Sequence, residues 1–156
     1  MSNPVLEFLR TMEGKYLEGS PSPVTAWLHG RLAEVSKGFA IMEYEVRKEM
    51  TNPLGTLQGG IFTTMMDDAL GVAVYSLGKD KFYTSVNFHV DYLESAMVGH
   101  RIRVHARIMR EGNTILNVLM EVKDESGKTL ALGTSNLVGK EVEGFRLPRF
   151  GQMKSE

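Results

Sequence analysis

Cysteine is absent from the 156-residue chain. That removes a disulfide framework, thiol catalysis and cysteine-ligated zinc at once. An excess of charge of either sign is lacking as well. With 18 basic and 19 acidic residues the net charge is -1, and no global field draws the chain to nucleic acid or to an anionic membrane. No apolar run reaches the roughly 20 residues of a membrane span. Glu7, Arg10, Glu13 and Lys15 interrupt the amino-terminal apolar positions where a signal peptide would be continuous. The serine elbow Gly-x-Ser-x-Gly, the phosphate loop, the Gly-x-Gly-x-x-Gly fingerprint and His-Glu-x-x-His are all missing. These absences describe a cytoplasmic protein that acts on a small molecule or meets another protein, with no metal and no bound cofactor.

The chain has the composition of an ordinary globular domain, 42% apolar and 24% charged. Its length suits one domain that buries about two thirds of its unfolded surface. Ser2 or Asn3 followed by Pro4 starts a helix whose stripe Leu6, Leu9, Met12 and Tyr16 runs to Gly19, and Ser20-Pro21-Ser22-Pro23 breaks it. Strands are expected at about 25–35 and 39–48, then a buried helix that starts at the Gly59-Gly60 pair and ends near Leu77-Gly78, then strands at about 82–92, 100–109, 114–123 and 129–139. In the first of these four, Phe82, Thr84, Val86, Phe88, Val90 and Tyr92 face one way and Tyr83, Ser85, Asn87, His89 and Asp91 the other. The expected organisation is an amino-terminal helix over 1–19, one domain over 20–140, and a loose charged tail over 141–156. An α+β fold follows, in which an antiparallel sheet of about six strands wraps a long central helix.

That helix holds the unusual residues. Gly59-Gly60 leads into Ile61, Met65, Ala69, Val72 and Ala73, and the apolar series carries two adjacent acids, Asp67 and Asp68. The glycine pair reads either as a turn allowing close helix–sheet approach or as exposed backbone donors at a helix start, where positive partial charge suits a developing oxyanion. The aspartates read either as a solvated patch or as reacting groups. Seven helical residues at about 100° each return within about 20° of the starting direction, so Gly60 and Asp67 share a face. A rise of about 1.5 Å per residue nevertheless separates Gly59 from Asp67 by about 12 Å, too far for both to act on one carbonyl. A two-fold dimer, with the glycines of one chain opposite Asp67 of the other, closes that gap. His89 and Asp91, on one strand face, read as solvent-facing alternation rather than as metal ligands.

The series Asn52-(x)2-Gly55-(x)2-Gln58-Gly59-Gly60-(x)6-Asp67 resembles the signature of hotdog-fold acyl-CoA thioesterases of the phenylacetate-pathway type. The element order over about 20–140 is similar to that fold, in which subunits dimerise or form tetramers. The resemblance implies a thioester hydrolase whose substrate is an acyl-CoA, coenzyme A being part of the substrate. It implies that the Gly59 N–H polarises the thioester carbonyl with help from Asn52, that Asp67 activates water, and that Ser85 positions that water. Gln58, Gly60 and Asp68 are the implied substrate-binding neighbours. Gln58 stands where relatives have histidine and cannot act as a proton donor or base near neutral pH. Asp68 stands where a small polar residue is commoner. Arg101, Arg103, Arg107, Arg110 and Lys140 offer charge for the coenzyme phosphates, though the strand arginines also alternate as a solvated face does. Two other readings remain: a hotdog hydratase or dehydratase, and a non-catalytic acyl-CoA binding module.

Overall fold

The computed structural model describes residues 2–144. All but the first four residues of the expected tail at 141–156 lie outside them. Helix α1 is Pro4–Thr11, shorter than the expected 1–19. Asn3 caps it by accepting from the Leu6 N–H at 3.0 Å, and Leu6 and Leu9 are buried in the main core. The chain then turns at Gly14, whose φ is +81°, and Tyr16 leaves the apolar stripe to stack on His29 at 4.2 Å.

Residues 23–28 correct an expectation, because Pro23–Leu28 form a second short helix, α2, and not the start of a strand. Ser22 accepts from the Thr25 N–H at 3.3 Å, Pro23 fits the first helical position, and His29 stops the helix at φ 53°. A serine cap followed by proline therefore outweighs the apolar alternation of Val24, Ala26 and Leu28.

The strands are β1 (Arg31–Ser36), β2 (Phe39–Glu45), β3 (Phe82–Tyr92), β4 (Arg101–Glu111), β5 (Ile115–Asp124) and β6 (Thr129–Lys140). They form one six-stranded sheet in the order β1-β2-β4-β5-β6-β3, antiparallel throughout. Helix α3, Gly59–Tyr75, lies in the sheet's concave face, packing most heavily on β4 and β2. Its buried side chains are Phe62, Met65, Met66, Ala69, Leu70, Val72 and Ala73. Each large one contributes about 1.5–3 kcal/mol by leaving water. This is the expected α+β hotdog arrangement.

Strand β3 departs from strict alternation. Its pairing with β6 slips between Ser85 and Asn87, leaving Val86 as a bulge. Parity reverses there, so Tyr83 and Ser85 turn inward before the bulge and Phe88 and Val90 after it, while Phe82, Thr84 and Val86 are exposed. Ser85 and Phe88, expected on opposite faces, thus come to the same side.

The sheet also buries an acid. Glu43 on β2 is 9% exposed and accepts from Arg31 Nε at 3.2 Å and Arg103 Nε at 3.0 Å. Burial pushes its pKa up, but the two arginines pull harder, and the net position is below the ordinary 4.5. A carboxyl with a lowered folded pKa stabilises above its unfolded pKa and loses that contribution as pH falls through the folded one. Glu43→Gln is expected to cost about 2 kcal/mol at pH 7. Thermal unfolding as a function of pH checks it, the gap between wild type and variant narrowing below pH 4.5.

Candidate active site

The loop that leads into α3 is built by Asn52. Its Oδ1 accepts from the N–H groups of Leu54 and Thr56 at 3.0 and 3.2 Å, and its Nδ2 donates to Thr56 Oγ1 at 2.8 Å. Gly55 takes φ +77° inside this turn, a conformation that a side chain would strain. Asn52 is therefore committed to its own loop, and to reach a carbonyl it would have to exchange the bond to Thr56.

Gln58 ends the loop as the cap of α3. Its φ and ψ are -69° and 138°, and its Oε1 accepts from the Ile61 N–H at 3.0 Å. Here the amide does what a short polar cap normally does. Behind it the N–H groups of Gly59 and Gly60 have no hydrogen-bond acceptor among the described residues. They are unpaired donors at the positive end of a 17-residue helix.

Tyr92, at the end of β3, is a residue that strand alternation left unnoticed. Its hydroxyl donates to the Gly59 carbonyl at 2.9 Å and lies 2.7 Å from the Thr63 hydroxyl. A Cβ on Gly59 would sit 3.3 Å from Tyr92 Cζ, a tight contact that a shift of the exposed tyrosine by a few tenths of an ångström relieves. Asn52, Gly59, Phe62 and Tyr92 line one shallow cleft of about 360 Å³.

Asp67 lies two turns further along α3, in a different and larger cleft of about 640 Å³. Thr63, Thr64, Asp67, Asp68 and Gly71 form its α3 side, and Ser85 and Phe88 face them from β3. Asp67 and Ser85 also share the rim of an adjoining cleft with Leu70, Val74 and Tyr83. Asp67 is exposed in the single chain, yet apolar neighbours desolvate its carboxyl and raise its pKa above the ordinary 3.8. Among the described residues no donor reaches that carboxylate. The structure therefore joins Asp67 with Ser85 and Gly59 with Asn52, and keeps the two pairs two helical turns apart, one at the amino end of α3 and one at its middle.

Asp68 is differently placed. Thr25 Oγ1 donates to its Oδ1 in a short hydrogen bond, and the buried Tyr44 hydroxyl donates to its Oδ2 at 2.6 Å. Burial raises its pKa, the two hydrogen bonds lower it, and the neighbouring Asp67 charge raises it again, leaving it above the ordinary value. Burial and the Asp68 charge push the Tyr44 phenol well above its ordinary 10.0. Both oxygens of Asp68 thus tie α2 and β2 to α3. Asp68→Ala leaves the buried Tyr44 hydroxyl with only the Met65 carbonyl, at 3.4 Å, and is expected to cost about 1–3 kcal/mol. Urea unfolding reads this as a lower midpoint at constant slope, and adding Tyr44→Phe to the variant is expected to cost little more.

His89 and Asp91 pair at 3.4 Å on the exposed face, and among the described residues no group of three metal-ligating side chains gathers. No described helix is long and apolar enough to cross a membrane.

Residues 54–131 of the chain, half of its length, match the thioesterase superfamily. Acyl-coenzyme A thioesterase 13 of Homo sapiens is 28% identical over 103 residues, covering 65% of this chain and 74% of that protein. The crystal structure of a phenylacetic acid degradation-related protein from Ralstonia eutropha JMP134 is 29% identical with a TM-score of 0.70, covering 78% of this chain and 95% of its own. The PaaI protein of the E. coli phenylacetic acid degradation operon shares the fold with a TM-score of 0.70 at 21% identity, covering 74% and 86% of the two chains.

Proposed function

Because the chain belongs to the thioesterase superfamily, a family of thioester hydrolases, we propose that it hydrolyses an acyl-coenzyme A, with the coenzyme entering as part of the substrate. The observation that carries this reading is the division of α3. A desolvated carboxylate and a hydroxyl, Asp67 and Ser85, meet in an apolar cleft at the middle of the helix, while unpaired N–H donors wait at its amino end, about 12 Å away. Two copies related by a two-fold axis, as a dimer or within a tetramer, bring the amino end of one such helix beside Asp67 of the other.

In this reading the thioester carbonyl rests on the Gly59 N–H of one subunit. Water held by Ser85 of the partner subunit bonds to the carbonyl carbon as Asp67 of the partner subunit takes its proton. The electron pair that moves onto the carbonyl oxygen is met by the Gly59 donor, a preorganised dipole that needs no rearrangement. Collapse breaks the C–S bond, the proton passes from Asp67 to the sulfur, and a free acid and coenzyme A leave. Gln58 takes no part in proton transfer, since its amide does not titrate and its oxygen caps the helix. Asn52 acts by shaping the loop before Gly59. The working unit spans 20–140 with α1 docked on it, in a cytoplasmic homo-oligomer.

The test is release of free thiol from a panel of acyl-CoA substrates, followed with a thiol reagent. Release well above background is expected. Binding of acyl-CoA with no thiol release would replace the hydrolase with a non-catalytic binding module.

A further inference from the structure

The 640 Å³ cleft beside Asp67 has a wall that the superfamily match does not include. The match begins at residue 54, whereas Leu9 comes from α1, Leu17 from the connection between the two helices and Val24 from α2. We infer that these three side chains form the wall that selects the acyl group, and that the cleft admits an apolar acyl tail whose length this wall limits. The inference rests on the thioesterase reading and adds the substrate class to it.

Three observations support the wall. Its inner part is closed: Leu9 is 0% and Leu17 2% exposed, both packed in the main core behind the cleft, whereas Val24, 49% exposed, stands at the mouth. The pantetheine arm of coenzyme A carries two amides, and burying an amide against Leu9 and Leu17, rather than against the hydroxyls of Ser20, Ser22 and Thr25 that also line the cleft, is costly. An alkyl tail meets no such penalty. The wall is also fastened to the catalytic helix at both ends. Asn3 Nδ2 donates to the Ser76 carbonyl at 2.8 Å, holding α1 to the carboxyl end of α3, and Thr25 donates to Asp68, holding α2 beside Asp67. Finally, the cleft is continuous with Asp67 and Ser85, so a tail lying in it places its carbonyl end at the reacting groups. Its volume lies within the range of about 300–1,000 Å³ usual for small-molecule sites.

The experiment measures kcat/KM for straight-chain acyl-CoA substrates from acetyl to hexadecanoyl, in wild type and in Val24→Trp, whose new ring occupies the mouth from an exposed position. Wild-type kcat/KM is expected to rise about fourfold per methylene until the cleft is full. Val24→Trp is expected to lose at least about tenfold on dodecanoyl-CoA while acetyl-CoA stays within about twofold. Leu17→Ala is expected to move the optimum to a longer chain, and thermal unfolding of each variant separates this from loss of fold. An equal loss at every length would place pantetheine in the cleft and overturn the proposal, as would an unchanged length profile. If wild type hydrolyses no acyl-CoA at all, the thioesterase reading fails separately. The wall is then judged by calorimetric binding of the same series to Asp67→Asn. Affinity that grows with chain length and is cut by Val24→Trp upholds it, and affinity indifferent to both overturns it.

Discussion

Asp67→Asn is expected to lower kcat by about 10²–10⁴-fold while KM stays within a few-fold. Asparagine keeps the shape and the polarity of the side chain but cannot accept the proton of the attacking water. Removing a group that acts only as bonds change lowers kcat and kcat/KM together and leaves ground-state binding intact. Stability should not fall, since no donor among the described residues binds the Asp67 carboxylate and desolvation disfavours its charged form. The wild-type pH profile supplies a second readout. The base must be ionised and its pKa is raised by burial, so the acid limb of kcat/KM should lie above the 3.8 of an ordinary aspartate and vanish with the residual activity of the variant. A variant that retained more than a tenth of wild-type kcat would remove Asp67 from the chemistry.

Gly59→Pro is expected to lower kcat by about 10²–10³-fold, the usual cost of one oxyanion donor. Proline deletes one N–H and fits the first position of a helix, the place that Gly59 occupies. Gln58, at φ -69° and ψ 138°, already has the extended geometry that a following proline requires. The new Cβ displaces the Tyr92 side chain by only a few tenths of an ångström. Circular dichroism should therefore show α3 retained. The larger consequence appears on mixing. In an equal mixture of Gly59→Pro and Asp67→Asn chains, half the dimers are heterodimers with one intact site of two, and about a quarter of wild-type activity should return. No recovery after verified subunit exchange would place the whole site within one chain.

Much of this site was open to reading because it lies in one continuous stretch. The loop, the glycine pair and the aspartates run from Asn52 to Asp68, and helical periodicity alone assigns their faces and spacing. Gln58 illustrates the limit of that reading. Its departure from histidine is visible in the sequence, but its use as a cap depends on the backbone geometry of residues 58–61. Tyr92 is further removed, since a tyrosine ending a strand gives no sign that its hydroxyl folds back onto the Gly59 carbonyl. Ser85 reached the Asp67 cleft through a bulge at Val86, and a bulge depends on how two strands register rather than on either strand's own alternation.

By itself the sequence determined what local periodicity and chemistry control. These are the buried helix from Gly59, the six strands to within a few residues apart from the start of β1, the absence of any thiol chemistry, and the face shared by Gly60 and Asp67. Only the tertiary structure decided the partners of the buried charges. Asp68 is held by Thr25 and Tyr44, residues 43 and 24 positions away, and Glu43 by Arg31 and Arg103, 12 and 60 positions away. The physical reason is that a carboxylate leaving water must find donors somewhere in the fold, and which donors arrive depends on the packing of helices and strands far apart in the chain. So of two adjacent aspartates that look alike in sequence, packing ties one into the framework and leaves the other free beside the cleft.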